Sequence, residues 1–163
     1  MTTSASYDED ALSDLTFVPK SGYSGPVNIS YTGETEDGTE YTGTVKITVK
    51  NAPTITYAAD ENEAVTLDGA DFTDACGDAT GKTFSYVKFT SLPDSSDGVL
   101  YYDYDKDDDT HITVTTSQSY SESALSSITF VPASDTTGTV TVPYVGYTTG
   151  GASYTGMLRI TVG

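Results

Sequence analysis

The chain has 163 residues, of which 24 are Asp or Glu and only 7 are Lys or Arg, so its formal net charge is −17. A surface this acidic repels nucleic acid and anionic membranes, and no apolar run reaches the ~18–20 residues that a membrane-spanning helix needs. The 29 Thr, 18 Ser and 13 Tyr favour strands and exclude an all-helical protein. With one Cys and one His, the chain has no internal disulfide and no multi-histidine metal site.

Short strands separated by turns are predicted along the whole chain. Thr44–Val49 alternates apolar and polar residues, as a strand that is buried on one face does. Turn residues such as Gly, Asp and Ser recur every 8–12 residues, a spacing typical of a β-sandwich. The predicted strands are 14–18, 26–31, 44–49, 53–57, 64–67, 84–91, 98–104, 111–115, 127–131, 138–145 and 157–162.

One segment, residues 68–81, departs from the strand pattern. Phe72, Cys76 and Ala79 recur at helical spacing, with Asp68 in position to cap the N-terminus and Gly81 to end the helix. We predict one short helix here. Residues 8–12 and 121–125 are predicted to form single helical turns before a strand.

Residues 4–50 align without gaps on residues 117–163, at a constant offset of 113. About half of the 47 paired positions are identical, among them Phe17-Val18-Pro19 with Phe130-Val131-Pro132. A period this long corresponds to a whole small β-domain. The chain is therefore interpreted as one and a half repeats: residues 1–50 form the C-terminal half of an upstream repeat, and residues 51–163 form a complete β-sandwich repeat.

The half repeat raises a folding problem. About 47 residues bury too little apolar surface to offset the entropy of the chain, and their strand edges are unpaired. Segment 1–50 therefore docks on the full repeat, pairs with a second molecule, or replaces 117–163 as the partner of 51–116. A strand-exchanged homodimer is one predicted outcome.

Several short motifs resemble the cadherin-like and immunoglobulin-like tandem repeats of large bacterial surface proteins, including the type found in chondroitin-sulfate proteoglycans. These motifs are Lys50-Asn51-Ala52-Pro53, Leu92-Pro93 followed by Gly98-Val99-Leu100, Ile128–Pro132 with Gly138 and Tyr144, and the closing Ile160-Thr161-Val162. The resemblance implies an all-β, antiparallel, Ig-like or cadherin-like β-sandwich. It also implies a secreted, cell-surface module whose neighbours are further copies of the same repeat.

The same resemblance raises calcium as a cofactor, although the junction around Asn51 lacks the acidic partners of true cadherins. A second argument for calcium is the acidic run that contains Asp103, Asp105, Asp107 and Asp109. Its carboxylates alternate as in a calcium loop, but an EF-hand needs Gly at position 6 and Glu at position 12, where this chain has Asp108 and Val114. The alternative is a solvated hairpin tip between two strands.

A set of tyrosines could form an aromatic face for a host protein or a polysaccharide. Tyrosine is equally common in cross-strand pairs on a half-exposed sheet, so packing between strands is the alternative. The candidate binding residues are Tyr101, Tyr102, Tyr104, Tyr144 and Tyr147.

Covalent chemistry and catalysis are not expected. Cys76 lies on the apolar side of the predicted helix, where a buried thiol is the usual outcome, so a thioester with Gln118 is disfavoured. His111 alone does not make a catalytic triad. We therefore expect a structural or adhesive repeat that spaces or supports a functional tip, and, as the alternative, a carbohydrate- or protein-binding module.

Overall fold

The structure is a computed structural model that describes residues 5–18, 24–107 and 111–163. Within these ranges the chain is mostly β, with largely antiparallel sheets. It divides into two compact units, Met1–Asn51 and Ala52–Gly163, which we call the first unit and the second unit.

The described residues of the first unit form one helical turn and one hairpin. Helix α1 (Glu9–Ser13) begins after Asp8, whose carboxylate accepts a hydrogen bond from the Ala11 N–H at 2.9 Å, and it confirms the helical turn predicted there. Strands β1 (Gly25–Glu34) and β2 (Glu40–Val49) pair antiparallel along their whole length. We call this pair hairpin 1.

The part of the second unit that the structure describes, residues 52–107 and 111–163, forms two four-stranded sheets and two helices. The first sheet has the order β3-β10-β9-β5 and the second has the order β4-β8-β6-β7. All neighbours are antiparallel except β3 and β10, which are parallel. The elements are β3 (Thr54–Ala59), β4 (Val65–Thr66), α2 (Gly69–Thr80), β5 (Phe84–Phe89), β6 (Gly98–Tyr102), β7 (Ile112–Thr113), α3 (Glu122–Leu125), β8 (Ile128–Pro132), β9 (Gly138–Thr148) and β10 (Ser153–Val162).

One hydrophobic core joins both sheets and helix α2. Alternate residues of β9 and β10 point into it, as the period-two pattern predicts, and Val142 and Leu158 are fully buried, as is Phe130 of β8. Phe72 of α2 lies against Tyr144 of β9, with 5.3 Å between ring centroids. Two sheets around a shared core are compatible with the expected β-sandwich.

The predicted helix over residues 68–81 is confirmed with both of its ends. The Asp68 carboxylate accepts a hydrogen bond from the Ala70 N–H at 2.9 Å. Gly81 ends the helix in the left-handed conformation at φ +67°, which costs glycine no side-chain clash. Phe72, Ala75 and Cys76 form its buried face. The helical turn expected at 121–125 is α3.

The strand expected at residues 14–18 is absent from the structure, although the same Thr-Phe-Val sequence forms β8 in the second unit. β8 lies between β4 and β6, so Phe130 pairs with Val65 on one side and with Leu100 on the other. A strand needs a neighbour for its backbone hydrogen bonds. Hairpin 1 is the whole sheet of the first unit in the described residues, so residues 14–18 have no such neighbour.

Strands β9 and β10 form a second hairpin, which we call hairpin 2, and its register matches hairpin 1 at the offset of 113 residues. Tyr31 pairs with Gly43 in hairpin 1, and Tyr144 pairs with Gly156 in hairpin 2. In each hairpin two tyrosine rings lie over the two glycines of the opposite strand and meet edge to face. The ring centroids are 6.2 Å apart for Tyr31 and Tyr41, and 6.1 Å apart for Tyr144 and Tyr154.

Candidate functional site

The surface of the second unit carries a cluster of three aromatic rings, which we call the aromatic cluster. It consists of Tyr101 on β6, Tyr104 just after that strand, and His111 just before β7. The ring centroids are 5.7 Å apart for Tyr101 and Tyr104, 5.0 Å for Tyr101 and His111, and 4.8 Å for Tyr104 and His111. All three side chains are half-buried, so part of each ring is open to solvent.

Local structure explains why the three rings meet. Leu100 is buried in the core, so the alternation of the strand points Tyr101 to the other side of the sheet. Tyr101 pairs with Thr113 of β7, which brings the start of that strand close to Tyr104. His111 Nε2 lies 2.9 Å from the backbone oxygen of Asp105, and this hydrogen bond fixes the imidazole beside the tyrosines.

Stacked rings beside carboxylates can bind two kinds of group. The faces of aromatic rings pack on the C–H faces of a sugar or attract a cation, and polar edges nearby supply hydrogen bonds. The sequence predicts that Tyr101 and Tyr104 belong to a binding face, but it gives no sign that His111 is their neighbour. The three rings come together across a loop, which no strand periodicity reveals.

The other tyrosines proposed for the binding face do not join this cluster, and for Tyr144 the expectation was wrong. Its side chain is 1% exposed, because it shares the inward face of β9 with Val140 and Val142. Tyr102 packs against the core from the side of β6 opposite to Tyr101. Tyr147 lies in the other sheet and stacks on Tyr86, with ring centroids 4.6 Å apart.

The acidic run follows β6 and was proposed to bind calcium. Asp103 has a left-handed backbone at φ +50°, and the Asp105 carboxylate accepts a hydrogen bond from the Asp107 N–H at 3.0 Å. In the ranges 5–18, 24–107 and 111–163, no group of three or more His, Cys, Asp or Glu side chains is arranged to hold a metal ion. Asp109 lies outside the described residues, and calcium at this loop stays a prediction.

Cys76 is fully buried in helix α2. Its Sγ lies 3.7 Å from Thr80 Oγ1 and 3.6 Å from the backbone oxygen of Lys82. Gln118 uses its side-chain oxygen to accept a hydrogen bond from the Tyr120 hydroxyl at 3.1 Å. The thiol is therefore held in the core as a small apolar group.

Two tyrosines beside Cys76, the buried Tyr144 and the half-buried Tyr154, have raised pKa values. Burial raises the pKa of Tyr144 to about 12, and burial together with the nearby Tyr144 and Cys76 raises the pKa of Tyr154 further. Tyr154 donates a hydrogen bond to the Phe72 backbone oxygen at 3.4 Å. The Tyr144 hydroxyl is buried and has no hydrogen-bond partner within the described part of the chain. At neutral pH the Tyr144 and Tyr154 hydroxyls are therefore uncharged.

A shallow depression at the C-terminal end of α2 is open to solvent. Its lining is mostly polar and contains Thr73, Asp74, Gly77, Lys82 and Phe84. Because the depression is open to solvent, it offers no enclosed space for a substrate.

A scan against protein-family models finds no family that matches this chain, and a search of curated proteins finds none with significant similarity. Within the described residues, no helix is both long enough and apolar enough to cross a bilayer.

Proposed function

We propose that the chain is a structural and adhesive repeat module of a secreted bacterial surface protein, which spaces or supports a functional tip. In this proposal residues 51–163 are one complete Ig-like or cadherin-like repeat, and residues 1–50 are the C-terminal half of an upstream repeat. Its partners are neighbouring repeats of the same protein. The parallel pairing of β3 with β10 is the observation that carries the proposal.

Parallel terminal strands set where the chain enters and leaves the second unit. Thr54 lies beside Met157, and Ala59 lies beside Val162. The Gly163 N–H donates a hydrogen bond to the Ala59 oxygen at 3.1 Å, so pairing continues to the last residue. The chain therefore enters at one end of this pair and leaves at the other, roughly 20 Å away for six residues at ~3.3 Å each. Units with this geometry extend an array with every copy added.

The same pairing gives mechanical resistance. Tension on the two ends of the second unit acts along β3 and β10 in opposite directions and loads their hydrogen bonds together. In an antiparallel terminal pair, the bonds would open one after another. Resistance of this kind suits a stalk that holds a binding tip away from a cell.

The strand orders and the charge also support the proposal. In the first sheet the first strand of the unit lies beside the last, and the chain crosses repeatedly between the two sheets, as in Ig-like and cadherin-like sandwiches. The net charge of −17 makes copies repel one another, which keeps an array extended and soluble.

Force spectroscopy on the full chain, held at its two ends, tests the mechanical part of the proposal. We expect one resolved force peak from the second unit, and a lower peak in Ile55→Ala, which weakens β3. Leu100→Ala is the matched control, since it removes a buried aliphatic side chain from β6 in the other sheet. An equal or greater fall in force for Leu100→Ala, or extension without a peak, would contradict the proposal.

Surface location is tested separately. Antibodies raised against the chain are expected to label intact cells of the source bacterium, and added protease is expected to remove that label. Labelling only after the cells are permeabilised would refute a surface role.

The aromatic cluster favours a second candidate function, binding of a polysaccharide or a host protein. In that case the chain, tested on a glycan array or a panel of extracellular-matrix proteins, shows saturable binding to at least one ligand. Tyr104→Ala abolishes this binding, whereas Tyr147→Ala, in the stacked pair on the other sheet, leaves it intact. Equal loss in both variants would exclude the aromatic cluster as the binding site.

A further inference from the structure

The first unit leaves several large apolar side chains exposed to solvent. We call a named set of them the open face. Leu12 is 53% exposed, and Phe17 is 40% exposed. Such a concentration of exposed apolar side chains on one small unit is typical of an interaction surface. The open face consists of Leu12, Leu15, Phe17, Tyr31, Tyr41 and Val45.

Each residue of the open face has an equivalent 113 positions later that is buried in the core or packs against it. Leu125, Ile128, Phe130 and Leu158 are completely inaccessible, and Tyr144 is 1% exposed. Tyr154, the equivalent of Tyr41, packs against the core. The open face therefore has the composition of a core surface, and in hairpin 1 also its strand register, without a cover.

The second unit shows what the cover is. β3 pairs with β10, β5 pairs with β9, and β4 and β6 flank β8. Helix α2 places Phe72 on Tyr144. The covering elements are β3, β4, β5, β6 and α2, and all of them come from residues 52–116, which we call the front half of the repeat.

We propose that the open face binds a second front half, a polypeptide segment with the sequence pattern of residues 52–116. Each chain holds two hairpins but one front half, and that front half is already paired with hairpin 2. In a strand-exchanged homodimer, hairpin 1 of one chain would replace hairpin 2 on the front half of the other chain. One hairpin in each chain would still be uncovered. Two open faces packed together would cover apolar side chains but would give residues 14–18 no flanking strands.

The register of hairpin 2 predicts the contacts of the complex. A strand like β3 pairs in parallel with Thr44–Val49, the equivalents of Met157–Val162. A strand like β5 pairs antiparallel with the end of β1, opposite Tyr31 and Gly33. Strands like β4 and β6 flank residues 14–18, which then become a strand as in β8. This inference uses the repeat organisation proposed above but not the surface location or the spacer role.

A fusion protein that carries an extra copy of residues 51–116 immediately before residue 4 tests the proposal. We expect the amide protons of residues 44–49 to become as protected from hydrogen exchange as those of 157–162. The cysteine of the added copy gives an independent measurement, because Cys76 is fully buried in the covered front half of the second unit. We expect both thiols of the fusion to resist a thiol reagent.

The matched control is the same fusion with Phe72→Asp in the added copy alone. It should expose the added thiol while the original Cys76 stays protected. A reactive added thiol in the unmodified fusion, or unchanged exchange at residues 44–49, would overturn the proposal. So would a dimer of the unfused chain with both hairpins fully protected, because the partner would then be a second copy. These outcomes leave the force measurement on the second unit unaffected, so the two proposals fail separately.

Discussion

Hairpin 1 and hairpin 2 have closely related sequences, the same register and the same interlocked tyrosines, yet their inward faces differ completely in burial. Tyr31 is 45% exposed, whereas its equivalent Tyr144 is 1% exposed. Even the turns match, since Gly38 and Gly151 have φ +83° and +82°. Local sequence therefore determines the hairpin, and the front half determines whether its apolar face becomes a core.

The largest expected difference between the hairpins is in a phenylalanine truncation. Phe130→Ala leaves a cavity in the core and should lower the free energy of unfolding of the second unit by about 3–5 kcal/mol. Phe17→Ala, at the equivalent exposed position, should change it by less than ~0.5 kcal/mol. Denaturant unfolding followed by the reactivity of Cys76 measures the second unit alone, because the chain has no other thiol. Equal effects would mean that Phe17 is part of a core shared with residues 52–163.

A glycine substitution sharpens the comparison. A Cβ at residue 156 would overlap the ring of Tyr144, which is buried and packs against Phe72. Gly156→Ala should therefore destabilise the second unit by about 1–3 kcal/mol. In Gly43→Ala the exposed ring of Tyr31 can swing into solvent, so the expected loss is smaller. Thermal unfolding of both variants checks the order, and a larger effect at residue 43 would contradict it.

Alkaline pH should destabilise the second unit by ionising Tyr144, which lies on the buried face of hairpin 2. Tyr144 has a folded-state pKa of about 12 against 10.0 in the unfolded chain, so its contribution to stability is complete below pH 10 and is lost as the pH rises to 12. The denaturation midpoint of the second unit should fall over this range, and less steeply in Tyr144→Phe. At neutral pH this variant should be neutral or stabilising, because the hydroxyl it removes is buried without a partner. An unchanged slope would show that other groups cause the alkaline loss.

The smallest expected difference is at the turns. In hairpin 1 the hydroxyl of Thr35 and the N–H of Thr39 donate hydrogen bonds to Asp37, which hold the pKa of that carboxyl below 3.8. The stabilisation of the turn by these hydrogen bonds to the ionised carboxylate is complete above pH 3.8. It is lost as the pH falls through the lower pKa of the folded state. Hairpin 2 has Gly150 at the same position. Acid should therefore shift the amide resonance of Thr39 but leave that of Ala152 unchanged, and a shift at Ala152 of similar size would contradict this explanation.

Local rules predicted the helix α2 with both of its ends, because the cap of Asp68 and the left-handed turn of Gly81 depend only on neighbouring residues. The prediction of a strand at 14–18 was wrong, because a strand needs flanking strands from elsewhere in the chain, such as β4 and β6 beside β8. The burial of Tyr144 was visible in principle, since it lies two and four residues after Val142 and Val140 on the inward face. The position of His111 beside Tyr104 was not, because it depends on the course of a loop.

The interlocked tyrosines have a consequence for a chain that contains near-copies of itself. Such a chain can misfold by sliding two strands to a wrong offset or by choosing a wrong neighbour. A slide of one residue would turn Tyr144 away from the core, and a slide of two would set it opposite Tyr154 or Leu158, whose side chains occupy the space that Gly156 leaves open. The paired tyrosines and glycines thus fix the strand register within each hairpin. Because both hairpins carry them, they do not determine which hairpin a given front half covers.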